Sequence, residues 1–174
     1  MKRKVLIGFL SLLFVACVSS SSWACGCGDG IVDYNEECDW GVYNNDNGGC
    51  STECKLIEGN GDGCTPGYWK HEHHFDSWYY YETDMEFEFV FDVDAFPNMN
   101  LLEVLQQKGG GIKALGRHTV AALLNASALG VSYPLSFLDV ITKFQTAYQS
   151  EDKSIIEDTK DELESYNEVV CPLN

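Results

Sequence analysis

The chain has 174 residues, eight cysteines and a formal net charge of −16, with 27 Asp and Glu against 11 Lys and Arg. Acidity on that scale repels nucleic-acid phosphates and anionic lipid headgroups and attracts divalent cations, which argues against nucleic acid as a partner. The length holds one domain of ordinary size plus a small module.

The first residues point to export. Lys2, Arg3 and Lys4 precede an apolar run, Val5 to Val15, too short for a membrane-spanning helix, which needs about 20 apolar residues. The pattern is that of a secretory signal peptide. Small residues at Ser22 and Ala24 favour release after Ala24, making 1–24 the signal peptide. The alternative is the lipobox-like stretch Leu13 to Cys17, which would put a lipid anchor on Cys17, although Phe14 fits that motif poorly. After release at Ala24, eight Lys and Arg face 27 acidic residues, and no transmembrane segment is expected in the mature chain. The expected location is secreted, extracellular or cell-surface, with the periplasm as a further option. In such a compartment cysteines are read as disulfide formers before they are read as metal or redox ligands.

Residues 25–56 hold Cys25, Cys27, Cys38, Cys50 and Cys54 among many Gly, Asn and Asp, with almost no apolar periodicity. A segment of this kind builds no useful core and must be cross-linked. Cys27, Cys38, Cys50 and Cys54 allow three pairings, which the sequence leaves open, and Cys25 is left over. Asp29, Asp33, Glu37 and Asp39 offer oxygen donors of the type calcium takes; the competing reading is that Asp, Asn and Gly simply form turns. The string CGDGIVDYNEEC, Cys27 to Cys38, followed by DWGVYNNDNGGCSTEC, Asp39 to Cys54, resembles the short cysteine-rich repeat of myxobacterial surface proteins. Tyr34-Asn35 stands where that repeat usually has Pro-Gly, Trp40 replaces an Asp, and the second loop is one residue longer. The resemblance implies a disulfide-bonded extracellular spacer with no activity of its own.

Residues 57–63 read as a Gly-rich linker, and 64–174 as a helical domain bracketed by Cys64 and Cys171, which look like a staple joining its ends. Phe87, Phe89, Phe91 and Val93 alternate with acidic residues, a period of two that predicts a strand. Asn100 is placed to cap a helix over Leu101 to Lys108, ended by Gly109 to Gly111. Ile112 to Ala128 is apolar around nearly its whole circumference and is expected to be the buried helix. Ser136 to Tyr148 and Ser154 to Tyr166 complete the set, the last charged and solvent-facing with Ile155, Ile156 and Leu163 as its apolar contacts. The fold class is therefore mainly α: a small, disulfide-rich, irregular N-terminal module followed by a compact helical domain with at most one strand or hairpin.

His71, His73 and His74 lie together, and His118 sits on the buried helix. Imidazoles from separated segments are the usual ligands of zinc and copper. The structural alternative is that His118 and Asn125, two turns apart on one face, hydrogen-bond the TPGYWK loop. That alternative is preferred, because neither an HExxH nor a paired CxxC spacing is present. The aromatic set Trp69, Phe75, Trp78, Tyr79, Tyr80 and Tyr81 offers core or a recognition face for protein or glycan. CTPGYWKHEHHFDSW (64–78), GGGIKALGRHTVAALLNA (109–126) and CPL (171–173) resemble a module of secreted bacterial proteins with the pattern CTPGYWKxH, RHxVAALLNA, CPL. His71 stands where that family usually has Asn. The resemblance implies an architecture and an exported setting, and no biochemical activity.

No nucleophile elbow, phosphate loop, dinucleotide fingerprint or metalloprotease helix occurs. The expected function is a non-catalytic secreted or cell-surface protein with a structural, adhesive or envelope-associated role, its partner an extracellular protein or glycan. The alternative is an extracellular zinc- or copper-binding protein using His118 with the His71/His73/His74 cluster; a hydrolase of unknown class is third. No cofactor is certain, calcium ranking before zinc or copper.

Overall fold

The computed structural model describes residues 26–39, 41, 44, 49–57 and 61–173. The expected signal peptide, Cys17, Cys25, Trp40 and positions 58–60 of the expected linker lie outside the described residues.

Among the described residues of the N-terminal module, two disulfides are nested. Cys27 pairs with Cys54 and Cys38 with Cys50, the inner loop lying within the outer one. Cys38, Cys50 and Cys54 are themselves the buried cluster of this module, so the cross-links occupy the place of an apolar core. A two-stranded antiparallel ladder joins β1 (Gly49–Cys50) to β2 (Leu56–Ile57), with Cys50 opposite Leu56. Ser51 shapes the turn between them: its Oγ accepts from the amides of Glu53 and Lys55.

The helical unit consists of α1 (Pro66–Trp69), a 3-10 helix (Glu72–Ser77), α2 (Phe87–Phe91), α3 (Leu101–Leu105), α4 (Ile112–Ser127), α5 (Phe137–Ser150) and α6 (Lys153–Asn167). The mainly helical fold stands. Helix starts follow from side-chain caps that satisfy otherwise unpaired amides. Thr65 caps α1, with Pro66 at its first position. Asn100 with Glu103, and Ser136 with Asp139, form reciprocal capping boxes at α3 and α5. Asp152 caps α6. Before α4, the guanidinium of Arg117 donates to the carbonyls of Gln107, Gly109 and Lys113 and so fixes the triple-glycine turn.

α4 is the centre, with Leu115, Val120, Leu123 and Leu124 buried together, and α1, α3, α5 and α6 pack around it. Gly116 permits this closeness on one side: a Cβ there would lie 2.4 Å from the Phe96 ring. α6 is less solvent-facing than its charge suggests, because Leu163 and Asn167 are fully buried, whereas Ile155 is exposed.

The strand expected over 87–93 is instead helix α2. Phe87 and Phe91, four residues apart, stack at 4.3 Å between centroids and pack against Phe96 and Phe144. Phe89, which a strand would also bury, is 82% exposed. Period two and an i, i+4 pair both place residues 87 and 91 on one side; the missing neighbour strand decides between them. In the helical unit the one bridge is Glu86 with Asn100.

Gly61 to Gly63 are bonded into the helical unit. The amides of Gly61 and Asp62 donate to the carbonyl of Ser132, and that of Gly63 to Val170. A Cβ on Gly63 would lie 2.0 Å from the carbonyl oxygen of Tyr166, so the chain crosses α6 at backbone contact distance.

Candidate functional site

The densest buried polar constellation surrounds Asn125 on α4. Its Oδ1 accepts from the amide of Cys64 at 2.8 Å and from the indole Nε1 of Trp69 at 3.0 Å. Its Nδ2 donates to the carbonyl of Cys64 and to Oδ1 of Asn167, both at 2.9 Å. An amide side chain has two donors and an oxygen with two lone pairs, and here all four are used. Asn167, on α6, extends the network: its Oδ1 also accepts from the Tyr133 hydroxyl at 2.8 Å, and its Nδ2 donates to the carbonyl of His118 at 2.8 Å. Both asparagines are fully buried. Burial pushes the Tyr133 hydroxyl far above its ordinary range, with Tyr166 and Glu162 adding to the effect, so it stays a neutral donor. The Cys64–Cys171 disulfide closes the same corner.

The expectation that Asn125 binds the TPGYWK loop is met through Cys64 and Trp69. For His118 it is corrected: the ring turns to α6, where Nε2 lies 3.7 Å from Oε1 of Glu164. Its Nδ1 is buried without a hydrogen-bond partner among the described residues, as is Oγ1 of the neighbouring Thr119. Burial lowers the His118 pKa, Glu164 opposes that, and Arg117 and Lys160 reinforce it. The imidazole is neutral at neutral pH. Glu164 itself is held below the usual carboxylate range by its hydrogen bond from Lys160, and Lys160 also pairs with Asp161.

The remaining histidines lie on and beside the 3-10 helix. His71 and His73 are exposed and His74 is half-buried. The His74 ring stacks on Tyr68 at 3.7 Å, His73 lies 4.0 Å from His74, and His71 lies 5.5 Å from His73, all between ring centroids. The ring of His118 instead faces α6. Among the described residues, one set of three His, Cys or carboxylate donors converges within 4.8 Å: Cys27, Glu36 and Cys54. Both of its sulfurs are in the Cys27–Cys54 disulfide, where they are not thiolate ligands.

Of the proposed calcium donors, Asp29, Glu37 and Asp39 face N–H groups. Asp39 Oδ2 accepts from the amides of Gly28, Asp29 and Gly30, each at 3.0 Å. Its Oδ1 accepts from the amide of Gly41 at 2.7 Å and from Nδ2 of Asn44 at 3.0 Å. Burial alone would raise this carboxyl, but the hydrogen bonds from Gly41, Gly28, Asn44 and Gly30 outweigh it and bring the pKa down to about 2. Asp29 Oδ1 accepts from the amide of Ile31 in an Asx turn. Glu37 pairs with Lys55. Glu36, a further acidic side chain of the module, accepts from the amide of Asp33, whose Oδ2 is enclosed without a partner among the described residues. In this arrangement Asp39 holds the module's backbone together.

Trp69 and Trp78 belong to the core, with the Trp78 indole donating to the carbonyl of Trp69. Tyr79 is exposed. The sequence reading missed Asn167 and Tyr133, because an Asn on a charged helix and a Tyr in a loop carry no spacing signal. No family model matches the chain, and no curated protein and no solved structure is significantly similar to it. The two motif resemblances therefore remain expectations. Among the described residues no helix is long and apolar enough to cross a membrane.

Proposed function

We propose that this chain is an exported, non-catalytic scaffold: a disulfide-held spacer joined to a helical module that displays its surface to an extracellular protein or glycan. The observation that carries this reading is the use of Asn125, whose four hydrogen-bonding positions are all spent on Cys64, Trp69 and Asn167. A polar group kept for catalysis must have donor or acceptor capacity left for substrate. Here the buried amides fix backbone beside a disulfide. The carboxylate of Asp39 is engaged in the same way by five N–H donors. Rigid closure of this kind suits a protein that must persist where thiols are oxidised and no chaperone repairs it.

The reading is tested by cell fractionation with thiol labelling. The intact chain is expected outside the cytoplasm, its six module and staple cysteines resistant to alkylation until reduced. A chain lacking residues 1–24 is expected inside, with labelled thiols. Turnover of any peptide, ester or glycan substrate that disappears on substitution of a single buried polar residue, while the fold survives, would overturn the non-catalytic assignment.

A further inference from the structure

We propose that His71, His73 and His74 form a surface site for a divalent transition-metal cation, copper or zinc, built without His118. Three imidazoles are gathered on one short element: His74 against Tyr68, His73 against His74, and His71 beyond His73. None of their ring nitrogens is engaged in a hydrogen bond among the described residues, and neutral imidazole nitrogens are good ligands for these metals. The element itself is held firmly. Thr65 caps α1, the amide of His74 bonds the carbonyl of His71, and Trp78 closes the far end through the carbonyls of Phe75 and Trp69. One ring is thus held by stacking on Tyr68, while His73 and His71 are exposed. The donor nitrogens of the three rings do not all lie within 4.8 Å of one another, so binding requires side-chain rotation. Glu72 lies between His71 and His73 in sequence and Asp76 two residues after His74, and the net charge of −16 favours any approaching cation.

The site differs from one using His118, whose Nε2 is directed to Glu164 on α6. It also stands apart from the scaffold reading, since it is tested on purified protein wherever the chain resides. Tag-free oxidised protein is titrated with copper(II) and, separately, zinc(II), following heat and the quenching of Tyr and Trp fluorescence by copper. One equivalent is expected to bind saturably, copper more tightly than zinc. The variant H71Q/H73Q/H74Q is expected to lose that binding with an unchanged far-ultraviolet circular dichroism spectrum, because all three side chains lie at or near the surface. His118→Gln is expected to retain it. Absence of saturable binding, its survival in the triple variant, or its loss in a folded His118→Gln protein would each overturn the proposal.

Discussion

Asn125 and Cys64 are 61 positions apart in sequence, yet the side chain of one bonds both the amide and the carbonyl of the other, at 2.8 and 2.9 Å. The asparagine thereby imitates the pairing of a neighbouring strand and fixes the backbone at the residue that forms the staple to Cys171. Asn125→Ala removes all four bonds at once and strands buried partners on Cys64 and Trp69, while Asn167 Oδ1 keeps its bond from Tyr133. A buried polar group without a partner costs about 1–3 kcal/mol, so the loss is expected to exceed ~3 kcal/mol. Urea unfolding of the oxidised protein measures it. A change no larger than that of a typical surface substitution would mean that the network is not needed.

The two faces of α2 give a second comparison. Phe91→Ala opens a cavity among Phe87, Phe96 and Phe144 and is expected to cost about 3–5 kcal/mol. Phe89→Ala, on the solvent side, is expected within about 0.5 kcal/mol of the parent. Equal losses at the two positions would fit the strand that alternation alone suggested, and not the helix.

Acid titration separates two sites of opposite chemistry. Burial lowers the pKa of His118 below its ordinary value, so below about pH 6.5 the unfolded chain holds the extra proton first and is favoured. Stability is expected to decline as pH drops through that region and to stop declining once the folded imidazole also protonates. His118→Gln is expected to flatten this segment, seen as melting temperature against pH. A parent and variant with parallel profiles from pH 7 to 5 would contradict the burial of a neutral ring.

Asp39 acts further down the scale. Its pKa falls from 3.8 to about 2 on folding, so its contribution is complete above the higher value and is lost as pH falls toward the lower. Asp39→Asn places an NH2 where Gly41 and Asn44 both donate, a donor-to-donor conflict. Amide exchange at Gly28, Asp29 and Gly30 is expected to accelerate in the variant at pH 7. Unchanged protection there would show that the carboxylate does not organise the loop.

Much of this was legible in residue order, for identifiable reasons. Asn100 with Glu103 marks a helix start through local hydrogen bonds that depend on nothing distant. The circumference of apolar residues on α4 announced its burial. The Phe87 to Val93 alternation misled because two periodicities share the positions 87 and 91, and the tie is broken by the lack, among the described residues, of a neighbouring strand for it to pair with. The partnership of Asn125 with Asn167 was invisible because it depends on how α6 lies across α4. The acidic loop suggested calcium by composition, while the fold turns Asp39 inward onto amides.

Everything rests on oxidation: among the described residues there are three cross-links, two in place of a core and one closing the helical unit over a separation of 107 residues. Peptide mapping under non-reducing conditions, on protein recovered from outside the cell, tests this most directly. The expected linked peptides are Cys27 with Cys54, Cys38 with Cys50, and Cys64 with Cys171. Recovery of Cys25 bonded to any of the six, or of Cys64 and Cys171 as free thiols in folded protein, would contradict the account.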